Sequence, residues 1–566
     1  MRLSTDGPGD EARAAETIAA AAAAGITVFD TARAYGQGAA DLGGNERLLA
    51  GALRRCGHAR RARILTKGGM TRAAGAWLPD GRAKAIRRDC EASLSALDGL
   101  AIDVYLLHAP DPRTPWRTSV RALARLVDEG LVRHVGLSNV NRHQLEEALA
   151  FAPIFAVQVA LSPYDDRALR GGIIERCAEL DVAVIAHSPL GGPRRAGGLG
   201  RRRPLADVAR ARGVSAAEVA LAWLLGLSPV VVAIPGARRP ETARSAARAA
   251  RLALNADERT VLERALGATP AARPRPVAAS RDGEVVIVMG IPGAGKTRVA
   301  AEYAARGYVR LNRDERGGGL RELADALEAE LSAGARHAVL DNTFLSRAGR
   351  SHVIDVAARH RLPTRCVWLS TPLAQAQVNL VGRLLERFGT LPGPDELRRL
   401  ARREQGVMLP TSQMRAQREL EPPAPEEGFA AVEVIQFARG DAPARTRGGV
   451  FVAAAALRRS RWEEAVQSAQ PDAPHLVFDW SPDGSFDALA GCVERLAGVV
   501  AGPVESALCP HAAGPPSCWC RPPLPGLPLA FAWAHDLAPA RSVVIGAGPA
   551  HRTLATALGA RYAAVP

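Results

Sequence analysis

At 566 residues the chain is long enough for roughly two to four domains, each with its own core. Hydrophobic residues make up 47% and aromatics only 4%, which fits globular domains; no apolar run is long enough to span a bilayer and no signal-peptide pattern appears, so a cytoplasmic protein without membrane contact is expected. The net charge of +15 favours polyanions but is spread through runs such as RRCGHARRAR and GRRRP that read equally well as solvated helix faces, and the scattered cysteines exclude a secreted disulfide framework.

Two stretches without periodicity divide the chain. TPAARPRPVAASRDG, residues 269–283, reads as a linker, and ARGDAPARTRGG near 438–449 is a second break. Three regions result: 1–268, 284–440 and 445–566.

In the first, short β-rich runs (ITVFDTA, ARILTKGG, IDVYLLHAP, VRHVGLSN, FAVQVALSP, VAVIAHSPL and VVVAIPGA) each precede a polar turn and a helical stretch. This alternation predicts a parallel α/β barrel with its chemistry at the C-terminal strand ends, where Asp30, Lys67, His108, Ser138, Asn139, Gln158 and Ser188 fall. The chain has only three lysines, Lys67, Lys84 and Lys296, and two of them lie where an amine is needed. FDTARAYG, LTKGG and YLLHAPD resemble the aldo-keto reductases, NADPH-using (β/α)8 barrels, across essentially this whole region. The resemblance implies a catalytic set of Asp30, Tyr35, Lys67 and His108. A phenol is a weak acid at neutral pH, so an ammonium held by Asp30 would favour the charge that builds on the Tyr35 oxygen as it protonates a carbonyl, while His108 orients the substrate oxygen. It also implies cofactor contacts: Ser138, Asn139 and Gln158 at the carboxamide, His187 at the nicotinamide ring, Ser188, Leu190 and Gly191 along the pyrophosphate, and Arg238 and Arg239 towards the adenosine phosphate. The family's adenine-side Glu-Asn pair falls on Ser245 and Ala246, and MRLSTDG resembles the end of the family's first strand, so that strand is expected to be encoded upstream of Met1.

In the second region the apolar EVVIVMG runs into GIPGAGKT and then RVAAEYAARG, the strand, loop and helix of a P-loop. Gly290, Gly293 and Gly295 allow backbone N–H groups to wrap ATP phosphates, Lys296 reaches the β/γ phosphates, and Thr297 is positioned for Mg2+. YVRLNRDERGG, HAVLDNTFLSRAGR and RELEPPAPEEGF resemble the 5′-hydroxyl polynucleotide kinases and the P-loop kinases nearest them. This implies Asp314 as general base, Asp341 as a positioning or metal-side group, and Arg383 and Arg387 on a lid over the transferring phosphate. No strand ending in paired acids favours an ATPase acting on a partner.

In the third region Cys509, His511, Cys518 and Cys520 form two close pairs of soft ligands in a Pro/Gly-rich loop, the pattern of a closed Zn2+ site. The loop with its continuation CRPPLPGL resembles the zinc loop of haloacid-dehalogenase-type phosphatases. Their nucleophile and acid fall on Ala453 and Ala455, their lysine on Pro522, and their late acidic motif on Ala547 and His551, so a catalytically degenerate domain is expected; Asp479 and Asp483 read as a turn after a strand.

The expected protein is an α/β multidomain fusion of an NADPH-dependent reductase acting on a carbonyl-containing small molecule and an ATP-dependent kinase acting on 5′-hydroxyl nucleic acid ends. Two alternatives stay open: reductase and kinase acting in turn on one sugar or nucleoside, and a non-catalytic NADPH-binding barrel. Oligomeric state is not legible.

Overall fold

The computed structural model describes residues 10–36, 38–73, 76–266, 277, 282–438, 445–482 and 487–566. The expected first strand at MRLSTDG, most of the 269–283 linker and Asp483 lie outside them. The chain separates into two compact units, Met1–Pro274 with Ser346–Ser351, and Arg275–Leu345 with His352–Pro566. Among the described residues no helix is long and apolar enough to cross a membrane.

The first unit contains β1 (Val28–Asp30), β2 (Arg63–Gly68), β3 (Met70–Ala73), β4 (Ala76–Pro79), β5 (Val104–Leu107), β6 (His134–Ser138), β7 (Ile154–Ala160), β8 (Ala183–His187) and β9 (Val231–Ile234). Seven of them form one parallel sheet in the order β1-β2-β5-β6-β7-β8-β9, and β3 and β4 make a separate antiparallel hairpin. Successive side chains point to opposite faces of a strand. Leu65, Val104, Leu106, Ala156 and Ile185 accordingly share one small cluster, while their neighbours Ile64, Tyr105, Leu107, Val157 and Val184 join the larger core with the helices. Every one of the seven β-rich runs is a strand. The sheet is a nearly closed barrel: β1 and β9 are its two ends, with no pairing between them among the described residues, although the helices Glu11–Ala23 and Pro240–Ala249 pack together outside that gap.

The second unit holds two parallel sheets. The first combines β10 (Glu284–Met289), β11 (Val309–Asn312), β12 (His337–Asp341), β13 (Thr364–Ser370) and β14 (Ala431–Gln436) in the order β11-β12-β10-β13-β14. The second combines β15 (Val450–Ala453), β16 (His475–Trp480), β17 (Val504–Cys509), β18 (Val543–Gly546) and β19 (Arg561–Ala564) in the order β17-β16-β15-β18-β19. Fully buried runs such as Val285–Met289 and Val450–Ala453 are what strands covered on both faces require. The two sheets share a core. Leu380, Val381, Leu384 and Leu385 of the helix Leu373–Phe388 pack in one cluster with Phe451, Trp519, Phe531 and Leu554.

Candidate active sites

At the barrel mouth Lys67, the last residue but one of β2, is completely buried. Its ammonium donates to both carboxylate oxygens of Asp30 at 2.7 Å, to the Thr31 carbonyl at 2.8 Å and to the Tyr35 hydroxyl at 3.3 Å. Burial works against the charge, but Asp30 and Tyr35 outweigh it and raise the Lys67 pKa, so the group stays an ammonium. Gln158 at β7 donates to Asp30 at 2.8 Å and holds its carboxylate from the far side. The His108 ring lies 5.7 Å from that of Tyr35, edge-on. The four expected catalytic residues are thus brought together from three strand ends, and behind them burial raises the pKa of Glu46, whose carboxyl Thr66 contacts at 2.5 Å.

The expected nicotinamide contacts also converge. Asn139 takes a left-handed backbone (φ 59°), tolerable for asparagine, and its amide nitrogen donates to the His108 carbonyl at 3.0 Å and to the Ser138 hydroxyl at 3.2 Å. His187 meets the Asn139 amide oxygen at 3.2 Å. Ser188 (φ 52°) and Gly191 (φ 83°) turn the chain after β8, Leu190 packs against the core between them, and Arg238 and Arg239 stand just before the helix Pro240–Ala249. Ser138, Asn139, His187 and Ser188 thus form one hydrogen-bonded group at the ends of β6 and β8, donors and acceptors of the kind a carboxamide takes.

Sequence reasoning passed over the hairpin. Trp77 of β4 faces both rings, 6.1 Å from Tyr35 and 5.6 Å from His108. Its two strands, Met70–Ala73 and Ala76–Pro79, are four residues each and leave no periodic signal in the sequence that would have placed it.

In the second unit the P-loop has the backbone its glycines allow: Gly290, Gly293 and Gly295 have φ of 152°, 87° and 97°. A Cβ at Gly293 would lie 2.4 Å from the Ala376 carbonyl, so only glycine fits. The loop is gripped from behind: Asn379 donates to the Gly293 carbonyl at 2.8 Å, Gln413 to that of Pro292 at 2.9 Å, and Thr371 to that of Ala294 at 3.1 Å. Lys296 curls back onto the Ile291 carbonyl at 3.1 Å. Enclosure lowers its pKa to about 8, with Asp341 opposing and Arg383 assisting. A cation that is so poorly compensated fits a phosphate, and Thr297 lies exposed beside it in the first helical turn.

Asp341, 2% exposed at the end of β12, is paired in register with Val288 and with Asn312. Arg310 and Asn312 donate to it at 2.9 and 3.1 Å, in keeping with a positioning group that holds an arginine. Asp314 is exposed two residues past β11, where the Asn312 side chain accepts its N–H at 2.7 Å. Of the two arginines expected on a lid, Arg383 is close enough to Lys296 to depress its pKa, while Arg387 is committed to Glu404 and to the Gln405 carbonyl at 3.1 Å.

In the last sheet the Cys509, His511, Cys518 and Cys520 ligand atoms all lie within 4.8 Å of one another. The Cys509–Cys518 and Cys509–Cys520 sulfur separations are 3.7 and 3.5 Å, and His511 Nδ1 is 3.4 and 3.2 Å from Cys509 and Cys520. Four ligands about 2.3 Å from one Zn2+ would have edges of about 3.8 Å, so the donor set fits that ion. Trp519, between two of the ligands, is buried and donates to the Met408 carbonyl at 3.0 Å. At the strand ends Ala453 is buried, Asp479 pairs with Arg458 at 3.4 Å, and the Ala547 N–H donates to His551 Nδ1 at 3.2 Å.

A profile described as "Aldo/keto reductase family" matches residues 1–266, and one described as "AAA domain" matches residues 285–391. Among curated proteins the chain is 30% identical over 264 residues to an uncharacterized oxidoreductase, C215.11c, of Schizosaccharomyces pombe, covering 45% of this chain and 81% of that protein. It is 30% identical over 253 residues to aldo-keto reductase str7 of Strobilurus tenacellus (40% and 72%) and 32% identical over 242 residues to probable aldo-keto reductase 1 of Glycine max (38% and 67%). Similar solved structures include the thermostable aldo-keto reductase Tm1743 in complex with epalrestat (30% identity, TM-score 0.40, 46% of this chain and 90% of that one). Another is an aldo/keto reductase of Klebsiella pneumoniae in complex with NADP and acetate (29%, TM-score 0.39, 46% and 88%).

Proposed function

Through residues 1–266 the chain belongs to the aldo/keto reductase family, and from that premise we propose that its barrel reduces a carbonyl compound with NADPH. The observation that carries this reading is the buried Lys67 joined at once to Asp30 and Tyr35. NADPH, held by Ser138, Asn139, Gln158, His187, Ser188, Leu190, Gly191, Arg238 and Arg239, would supply the hydride to the carbonyl carbon and leave as NADP+. The Tyr35 hydroxyl gives its proton to the carbonyl oxygen, the Lys67 ammonium stabilises the charge left on the phenol, and solvent returns the proton. His108 orients the oxygen. Aldehyde-dependent NADPH oxidation tests it; NADPH binding without turnover on any aldehyde would leave the barrel a cofactor-binding module.

The kinase-like second region phosphorylates a hydroxyl group, and the acceptor we favour is the 5′-hydroxyl end of a nucleic acid. ATP with Mg2+ would sit on Gly290, Gly293, Gly295, Lys296 and Thr297 and supply the γ-phosphoryl group. Asp314 takes the proton of the attacking hydroxyl, Asp341 fixes Arg310 beside it, and Arg383 faces the transferring phosphate. Support comes from Asn312 and Asp341 paired across neighbouring strands, which puts the two expected motifs at one site. Transfer of labelled γ-phosphate to a 5′-hydroxyl oligonucleotide, lost in Asp314→Ala, is the expected result; transfer only to sugars or nucleosides would establish the small-molecule alternative.

The last region is read as a haloacid-dehalogenase-like domain without catalysis, stapled by Zn2+ at Cys509, His511, Cys518 and Cys520. We expect one zinc per chain by elemental analysis of the intact protein, and its loss in Cys518→Ser with lower thermal stability of the second unit.

A further inference from the structure

Arg72 of β3 is directly opposite Trp77 of β4 in the hairpin, and its guanidinium lies 4.2 Å from the centre of the indole ring. The same indole ring meets the Tyr35 and His108 rings edge-on at 6.1 and 5.6 Å, so the guanidinium and the catalytic residues share Trp77 as a neighbour. Three other arginines of this unit each carry an acidic partner: Arg33 pairs with Asp89, Arg82 with Asp80 and Arg113 with Asp111. Arg72 has no ion pair among the described residues, and its Nε, shielded from solvent, has no hydrogen-bond partner.

An arginine stacked on an aromatic face keeps its in-plane N–H donors available, in the fork geometry that matches a carboxylate or phosphate. A shielded donor left unsatisfied costs stability, which an anion arriving in that plane would recover. We propose that Arg72 is a specificity-determining residue of the reductase, recognising a carboxylate or phosphate group on the carbonyl substrate while Trp77 covers the carbon skeleton next to Tyr35. The inference rests on the reductase reading of the same site. It adds the substrate class: small anionic carbonyl compounds, either oxo acids and carboxylated aldehydes or phosphorylated sugars.

The experiment compares kcat/KM of the full chain with NADPH on matched pairs, benzaldehyde against 4-carboxybenzaldehyde and glyceraldehyde against glyceraldehyde 3-phosphate. We expect the anionic member of at least one pair to be preferred at least about tenfold, and Arg72→Gln to lose about tenfold to hundredfold on it through KM, as for one charge-assisted hydrogen bond. The neutral partner should stay within about twofold, and Arg72→Lys should retain part of the preference. The pair with the larger Arg72-dependent loss identifies carboxylate or phosphate. Equal losses on charged and neutral substrates would reduce Arg72 to a brace for Trp77 and overturn the proposal, as would a wild type indifferent to charge. Calorimetric binding of 4-carboxybenzyl alcohol and glycerol 3-phosphate in the presence of NADP+ gives a readout independent of turnover. Binding weakened by Arg72→Gln in a protein that turns over no aldehyde would sink the reductase reading and leave the anion site standing; binding that ignores the substitution would sink the anion site.

Discussion

The barrel mouth and the last sheet obey the same rule of parallel sheets, in which chemistry sits at the C-terminal strand ends, and they treat it oppositely. The barrel places Asp30, Lys67 and His108 there, charged or polar and buried, and the cost of burying Asp30 and Lys67 is repaid by their pairing. The last sheet places Ala453 and Ala547 there, with Asp479 turned to a surface arginine. Two of its strands, β15 (Val450–Ala453) and β18 (Val543–Gly546), are nonetheless apolar and buried throughout. The two sheets share a buried apolar interior and differ in what stands at their strand ends, so it is the interior that such a fold requires.

If that contrast holds, Lys67→Met should have the largest effect of any single change. We expect kcat/KM for aldehyde reduction to fall by about 10²–10⁴, measured by NADPH oxidation. Because the substitution leaves the Asp30 carboxylate buried without its cation, unfolding free energy should also drop by about 3–5 kcal/mol. The double variant Asp30→Asn/Lys67→Met should recover stability but no activity. A second contrast lies within the helix Leu373–Phe388. Arg383→Ala should slow γ-phosphate transfer about a hundredfold, as for loss of a transition-state charge. Arg387→Ala, already committed to Glu404 at the surface, should stay within about threefold. The reverse order would exchange their roles.

How far the sequence disclosed these regions follows from the kind of signal each carries. Barrel strands were legible because each is a short apolar run ending in a polar turn, and the P-loop because glycine, lysine and threonine at that spacing have one common backbone solution. The cluster of Cys509, His511, Cys518 and Cys520 needed only its two close pairs in the sequence. What stayed hidden depends on contacts distant in sequence. Trp77 reaches Tyr35 and His108 through a hairpin whose strands are four residues each, too short for a periodic pattern to stand out. Arg383 and Arg387 look equivalent four residues apart on one helix, and only Glu404, from the following segment, distinguishes them. The shared core of the two sheets was equally invisible, since the apolar face of Leu373–Phe388 gives no hint of which partner covers it.

A smaller effect follows from the Lys296 ammonium. Its pKa is about 8 in the folded protein against 10.5 for an ordinary lysine, so between those values the unfolded chain holds the proton more tightly. The nucleotide-free protein therefore gains stability from this group as pH rises from 8 towards 10.5. ATP, which needs the ammonium, should bind best below pH 8 and about tenfold more weakly at pH 9, with the dependence flattened in Lys296→Arg.

The smallest expected effect belongs to the last sheet, and it is the direct attempt to undo the contrast. Ala453→Asp/Ala455→Asp places two carboxylates at and just past the end of β15. The end of β18 still offers them no partner: the His551 ring takes the Ala547 N–H, and a Cβ at Gly546 would lie 2.4 Å from the His551 Cβ, so that side chain fills the crevice. Burying a carboxylate in place of Ala453, itself 1% exposed, without a cation can only cost stability. Hydrolysis of p-nitrophenyl phosphate with Mg2+ should therefore remain at the buffer rate in wild type and double variant alike. Turnover in the double variant would mean that the strand ends still enclose a phosphate pocket, and that two side chains, rather than the loss of the whole site, separate this sheet from an enzyme.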